Sequence, residues 1–284
     1  MFKKIFFVTA LLLASLLSAK PVVIASIAPV GYLAKAVGGD KIEVQSLAKG
    51  DVHSYEPKPN DMKAVAKARI FIAAGLEFEE AWIPRFKASA KNLVVVQSDA
   101  KIAKLKEERG EQAEHDEKHE AHADPHVWLN PMLAITMARN ISDALIDMDK
   151  ANKDFYLKNF QKLMNDLLAF DESAKNELAG LKNRKFVVYH PAWGYFAEHY
   201  DLEQISIERN GKEPKIDEMA STVKMIKDEN IKVIFADPNR SQKSAQVLAS
   251  QTGAKVELLD PLGYNLLENL KIAVGAIKDA NSPK

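Results

Sequence analysis

The amino-acid sequence predicts an α/β fold with two lobes, each built on a four-stranded, mainly parallel sheet flanked by helices, and joined by one long helix. Three observations lead to this prediction. Short, nearly continuous apolar runs, typical of buried parallel strands, fall into two sets of four. Segments with helical character lie between the runs, as an α/β arrangement requires. One long amphipathic segment separates the two sets.

Eight apolar runs are the predicted strands. They lack the strict alternation of a half-exposed strand, which favours a sheet that is buried on both faces. In chain order they are 21–26 (PVVIAS), 42–48 (IEVQSLA), 69–75 (RIFIAAG), 93–98 (LVVVQS), 185–190 (KFVVYH), 203–208 (EQISIE), 232–237 (KVIFAD) and 255–260 (KVELLD). Four strands on each side of the long segment indicate two lobes of similar build.

The long segment between the two sets carries one apolar stripe. Its members recur at steps of three or four residues, the period of one helix face. They are Tyr156, Phe160, Leu163, Leu167, Phe170, Ala174, Leu178 and Leu181. We predict a helix of about 30 residues, roughly 45 Å long, that joins the lobes as a rigid strut. The predicted division is an N-terminal lobe over 20–145, a linking helix over 146–182 and a C-terminal lobe over 183–284.

The N-terminus has the pattern of a secretory signal peptide over 1–19. Lys3 and Lys4 precede about 13 apolar residues, and small residues follow them. The alternative, an uncleaved membrane anchor, is less favoured because a transmembrane helix needs about 20 apolar residues. We therefore expect cleavage after Ala19 and export of the mature chain.

Composition excludes several classes of function. Basic and acidic residues balance at 39 each, so no basic field indicates a nucleic-acid partner. The chain has no cysteine, which rules out disulfides, thiolate zinc fingers and cysteine nucleophiles. Any metal must therefore be held by nitrogen and oxygen ligands.

Three histidines and one aspartate are the candidate metal ligands. His53 follows the second predicted strand, His190 ends the fifth, Asp260 ends the eighth, and His126 lies between two prolines in DPHVWLNP. Ligands collect at the carboxyl ends of parallel strands, so these side chains would converge if the two lobes face each other. Three imidazoles and a carboxylate suit zinc, and they also suit manganese.

Each of these residues has a plainer alternative interpretation. A single histidine after a strand is usually a hydrogen-bonded polar residue, and an Asp-Pro pair is usually a turn signal. A hydrolytic zinc centre is a further alternative, but the chain has no HExxH or G-x-S-x-G motif. His199 is predicted to cap the end of a helix and to have no part in the site.

Five segments in register resemble a known family. They are GDVHSYEPKPND, DPHVWLNP, VVYHPAWGYFAEHY, SIERNGKEP and LLDPLG. From about Val22 to its end the chain is similar to the metal-binding solute-binding proteins of bacterial zinc and manganese ABC transporters, and above all to their zinc branch, the ZnuA-like proteins. The resemblance implies two α/β lobes on one long helix, with the metal in the cleft between them. It places the three histidine ligands at His53, His126 and His190, and the carboxylate at Asp260.

The resemblance also implies a function. The protein would capture Zn²⁺ in the periplasm with high affinity, as a monomer and without catalysis. It would deliver the ion to the membrane permease and ATPase of a zinc transporter. Manganese capture by the same residues is the main alternative. Since coordination needs neutral imidazoles, affinity is expected to fall below about pH 6.5.

A histidine-rich stretch precedes His126. Zinc-specific members of the family carry a variable histidine- and acid-rich insertion there, and here it covers roughly 104–123. His115, His119 and His122 lie in it and are expected to bind zinc weakly, as an auxiliary site. The composition alone favours a solvated, disordered charge run, and both interpretations can hold together.

The chain departs from the family pattern at Val52. Some zinc members have an acid directly before the first ligand histidine, where it can coordinate the ion. This sequence has valine. The fourth coordination position is therefore left open between Asp260, a loop residue and water.

Overall fold

The computed structural model describes residues 20–106, 123–208 and 216–282. The predicted signal peptide and His115, His119 and His122 lie outside the described residues. The elements are β1 (Val22–Ala25), α1 (Ala28–Gly38), β2 (Glu43–Ser46), α2 (Pro59–Val65), β3 (Ile70–Ala73), α3 (Glu77–Ser89), β4 (Val94–Gln97), α4 (Pro131–Met148), α5 (Lys153–Leu178), β5 (Lys185–Val188), α6 (Gly194–His199), β6 (Glu203–Ser206), α7 (Ile216–Asp228), β7 (Val233–Ala236), α8 (Lys243–Thr252), β8 (Lys255–Leu258) and α9 (Leu266–Asn281).

Two four-stranded parallel sheets confirm the predicted fold class. The strand order is β2-β1-β3-β4 in the N-terminal lobe and β6-β5-β7-β8 in the C-terminal lobe, so the two sheets share one topology. All pairings are parallel. Parallel strands send their carboxyl ends to the same edge of a sheet, and the loops at that edge carry the candidate ligands.

Burial on both faces, predicted for all eight strands, holds only for the inner ones. β3 and β7 are buried at every position, and β1 and β5 at three of four. The outer strands are more accessible: Val94 of β4 and Leu258 of β8 are 50% and 52% exposed. An edge strand has one neighbour instead of two, so apolar content alone does not reveal how well it is covered.

The linking helix α5 runs over Lys153–Leu178, 26 residues. It begins later than the predicted 146 because α4 continues to Met148 and a 3₁₀ turn over Lys150–Asn152 comes between the two helices. The predicted stripe from Tyr156 to Leu178 is buried throughout. Burying one such side chain contributes about 1.5–3 kcal/mol, so the stripe is a major part of the core.

The stripe of α5 packs against both lobes. It contacts α1 and α4 of the N-terminal lobe and α9 of the C-terminal lobe. The resulting core is continuous and includes Val23 of β1 as well as Phe235 of β7. The lobes are therefore anchored to one shared apolar layer, as expected for a rigid strut. Within the described ranges, no helix is long and apolar enough to cross a membrane.

Candidate metal centre

Local structure brings a histidine from each of three segments to the space between the lobes. His53 lies in the loop between β2 and α2, and His190 lies two residues beyond β5. His126 directly precedes a 3₁₀ turn over Val127–Leu129, so it does not follow a strand. Its ring contacts that of the fully buried Trp128, with the two centroids 5.2 Å apart.

The segment around His126 is fixed by two sets of contacts. The Trp128 indole Nε1 donates a hydrogen bond of 2.7 Å to the Pro261 carbonyl of the other lobe. The Asn130 Oδ1 accepts hydrogen bonds from the amides of Met132 and Leu133 and so caps α4. The two prolines noted in the sequence bracket this turn. The rigidity of the prolines and the cap of α4 fix the backbone at His126.

The three imidazoles form a compact cluster. One nitrogen from each of His53, His126 and His190 lies within 4.8 Å of the other two. The ring centroids are 5.5 Å apart for His53 and His126, 5.1 Å for His53 and His190, and 5.3 Å for His126 and His190. Nearly equal spacings mean that the rings surround one point. A single zinc ion, with Zn–N bonds of about 2.0–2.1 Å, would bind all three nitrogens after at most a small contraction of the cluster.

The cluster is largely shielded from solvent, so its nitrogens depend on partners within the protein or on a bound ion. His126 and His190 are 4% and 7% exposed, and His53 is half-buried. The Nε2 of His53 is buried and has no hydrogen-bond partner among the described residues. Leaving a buried polar atom unpaired costs about 1–3 kcal/mol, and a bound cation would satisfy this atom. The residues present therefore fit a metal ion.

Carboxylates orient two of the three rings. The Asp124 Oδ1 lies 2.7 Å from Nδ1 of His126, and the Glu208 Oε2 lies 2.7 Å from Nδ1 of His190. A carboxylate at Nδ1 favours the tautomer with its proton there, which leaves the lone pair of Nε2 for a metal. Sequence reasoning did not identify Asp124 or Glu208. The available signals were an acid two residues before His126 and an acid ending a predicted strand.

The site keeps two of its imidazoles neutral. Burial, and then the proximity of His126, lowers the pKa of His53 to about 4. Burial also lowers the pKa of His190 well below its ordinary value. Neutral imidazole is the form that binds metal, so protons compete at these two residues only at low pH. Protonation of His53 and His190 should therefore weaken zinc binding only at a pH below the value of about 6.5 expected from the sequence.

The fourth candidate ligand, Asp260, has a different local role. The metal-binding group found among the described residues contains the three histidines and not Asp260. The Asp260 Oδ1 accepts hydrogen bonds of 2.8 Å from the side chain of Asn239 and from the amide of Leu262. These bonds tie the loop after β8 to the loop after β7. Coordination by Asp260 stays a prediction.

His199 is the last residue of α6, the helix-end position predicted for it, and it also makes a contact outside that helix. Its Nε2 lies 2.6 Å from the Oδ1 of Asp171 on the linking helix. The pairing joins α6 to α5, away from the cluster. His199 therefore also links two helices through a partner that is 28 residues away in sequence.

Two α/β lobes on one long helix, with buried imidazoles gathered between them, define a metal-binding solute-binding protein, the receptor class that serves ABC transporters. The chain belongs to the family described as zinc-uptake complex component A, periplasmic, whose sequence model matches residues 23–280. This match confirms the family resemblance predicted from the five sequence segments.

Individual relatives agree with the family assignment. A putative metal-binding protein of Treponema pallidum (strain Nichols) is 34% identical over 243 residues, covering 82% of this chain and 77% of that protein. The high-affinity zinc uptake system protein ZnuA of Bacillus subtilis (strain 168) is 30% identical over 279 residues, covering 91% and 86%. A crystal structure of a ZnuA deletion mutant with zinc bound has a TM-score of 0.86 at 34% identity, covering 93% and 99%.

Proposed function

We propose that this protein captures Zn²⁺ through His53, His126 and His190 and releases it to the permease of an ABC transporter. The observation that carries the proposal is the convergence of three histidine nitrogens, within 4.8 Å of one another, from both lobes. Nitrogen-rich clusters favour zinc over calcium and magnesium, which prefer oxygen ligands. Membership of a zinc-uptake family supports the same ion.

The protein acts as a receptor and not as a catalyst. Its family consists of the binding components of uptake complexes, and a receptor needs an ion held tightly and reversibly. We assign no base or nucleophile at the cluster. The Asp124 and Glu208 carboxylates next to the ligands are engaged with imidazole nitrogens and serve to orient them.

Membership of a periplasmic zinc-uptake family supports the partner and compartment that we propose. The receptor would bind zinc in the periplasm as a monomer, after removal of residues 1–19, and would dock on a permease coupled to an ATPase. His115, His119 and His122 would hold further zinc weakly. The fourth position on the tightly bound ion would go to Asp260, to another loop residue or to water.

Metal stoichiometry and competition on chelator-stripped protein test the proposal. Zinc is titrated against manganese in wild type, in His126→Ala and in the control His199→Gln, which changes a histidine outside the cluster. We expect one tight zinc site that His126→Ala abolishes and His199→Gln preserves. A preference for manganese would assign the protein to the manganese branch. Tight zinc that survives His126→Ala would refute the site.

A further inference from the structure

Arg240 lies against the metal cluster without being a ligand. It follows β7, and its side chain is 17% exposed. Its Nη1 lies 2.8 Å from Nδ1 of His190, and its Nη2 donates a hydrogen bond of 3.0 Å to the Oε1 of Glu208. Its Nη2 also lies 3.8 Å from the Oδ2 of Asp51 in the opposite lobe. The cation therefore reaches one ligand directly and the loop of His53 through Asp51.

Two groups approach the same nitrogen of His190. The Oε2 of Glu208 is 2.7 Å and the Nη1 of Arg240 is 2.8 Å from Nδ1. An ionised carboxylate only accepts hydrogen bonds, and a guanidinium only donates them. A neutral imidazole nitrogen carries either a proton or a lone pair, so it can bond to only one of these two neighbours at a time.

The choice between the two neighbours decides whether His190 can bind a metal. When Nδ1 carries the proton and donates to Glu208, the lone pair of Nε2 is available to an ion. When Nδ1 accepts from Arg240, the proton resides on Nε2 and blocks coordination there. His126 differs, since in the described part of the chain the carboxylate of Asp124 is at its Nδ1 and no cation contacts that atom.

We propose that Glu208 and Arg240 are opposing positioning residues, which hold His190 in its metal-binding and its metal-blocking tautomer respectively. The proposal rests on the proposed function, because tautomer control matters only if His190 is a ligand. Glu208 then favours capture, and Arg240 favours release. The contact of Arg240 with Asp51 ties this choice to the lobe that supplies His53. Release would need only a shift in a hydrogen bond, which suits lobes that share one core.

The tautomers can be read without zinc. Histidine is labelled with ¹⁵N in the metal-free protein, and two-bond ¹H–¹⁵N couplings identify which nitrogen carries the proton. His190 is assigned with His190→Asn. In wild type we expect both tautomers for His190 and the Nδ1-protonated form alone for His126. Arg240→Met should leave only the Nδ1-protonated form of His190, and Glu208→Leu should favour the Nε2-protonated form.

Zinc kinetics give the second readout. Arg240→Met should slow zinc dissociation by about tenfold, and Glu208→Leu should weaken affinity by about 10–100-fold, as expected for loss of a group that orients a ligand. Glu208→Gln keeps an oxygen acceptor and should restore most of the affinity. Arg85→Met is the matched control, since Arg85 is exposed and stacks on Trp82 of the N-terminal lobe. It should change neither readout.

One outcome overturns the inference by itself. If His190 has a single tautomer in wild type and Arg240→Met does not alter it, Arg240 does not compete for Nδ1, however tightly zinc binds. Arg240→Met alone decides this point if the Glu208 variants fail to fold. Absence of tight zinc in wild type would instead overturn the proposed function. The tautomer measurement and the zinc titration therefore distinguish failure of this inference from failure of the proposed function.

Discussion

The two lobes have the same sheet topology but place their chemistry at different strand ends. In the N-terminal lobe, the second residue after the first strand is the buried Ile27, and His53 lies seven residues after the end of the second strand. In the C-terminal lobe, the first strand is followed by His190, and the second by Glu208. His190 and Glu208 each lie two residues beyond their strand, whereas His53 comes from a longer loop, so the two sheet edges of one topology differ both in residue type and in loop length.

This difference gives the lobes unequal roles in the site. The N-terminal lobe contributes two imidazoles, one of them oriented by Asp124. The C-terminal lobe contributes one imidazole together with Glu208 and Arg240. We infer that the N-terminal half mainly supplies affinity, while the other half supplies control over it. Substitutions at the site test this division.

Removal of any ligand histidine should have the largest effect. His53→Ala, His126→Ala and His190→Ala are each expected to weaken zinc binding by more than about 100-fold, since losing even an orienting partner costs about 10–100-fold. Competition with a chromophoric chelator measures this. A variant that retained wild-type affinity would remove that residue from the site.

Removal of the carboxylate at His126 should have the next largest effect. Asp124→Leu is expected to weaken zinc binding by about 10–100-fold, because the imidazole then loses the group that sets its tautomer. The matched change in the other lobe is Glu208→Leu. If the lobes divide the roles as we infer, only the Glu208 change should alter the His190 tautomer.

Asp260→Asn should have a smaller effect than any histidine change. The variant keeps an oxygen for Asn239 and Leu262 but removes the charge, and the three nitrogens are gathered without it. We expect a loss of zinc affinity of about tenfold or less. A loss as large as that of the histidine variants would make Asp260 a full ligand.

The metal-free protein should lose stability as the pH falls from about 6.5 to about 4. The folded-state pKa of His53 is about 4, below its ordinary value, so the unfolded chain takes up a proton first as the pH falls. The stabilisation is complete above about pH 6.5 and is lost through this window. His53→Asn should flatten the dependence by on the order of 2 kcal/mol, allowing for partial exposure. Urea unfolding at several pH values measures this free energy. An equal pH dependence in wild type and His53→Asn would contradict the attribution to His53.

The smallest effect on the tight site should come from the histidine-rich stretch. Replacing His115, His119 and His122 with asparagine is expected to remove weak zinc binding and to leave the tight site within about twofold, because the cluster forms without them. Equal total zinc content before and after the change would refute their auxiliary role.

The fold could be predicted because its signals are local. Buried strands and the stripe of α5 are read from apolar content and period. Of the three clustered histidines, His53 and His190 were singled out by their places after strands, and all three by the family segments that contain them. Edge exposure at β4 and β8 could not be predicted, since it depends on which strands have two neighbours.

The contacts of Arg240 and Glu208 with His190 join residues that are far apart in sequence, and the sequence did not predict them. Arg240 meets His190 across 50 residues of sequence, and Glu208 meets it across 18. Neither spacing has a period that identifies a contact. The contact of His199 with Asp171 was missed for the same reason, since Asp171 lies on another helix. An acid at the end of a strand beside a candidate ligand is the usable signal.

The common core along α5 has a thermodynamic consequence. Because Val23 and Phe235 belong to one apolar cluster built around α5, neither half can expose its share of that cluster while the other remains native. Heating should therefore give a single cooperative transition in calorimetry. Zinc bound between the halves would add about 2.7 kcal/mol to the free energy of unfolding when its free concentration is 100 times the dissociation constant. The midpoint temperature of the whole transition would rise accordingly. An ion that touches only a few loops would in this way stabilise every element that α5 holds together.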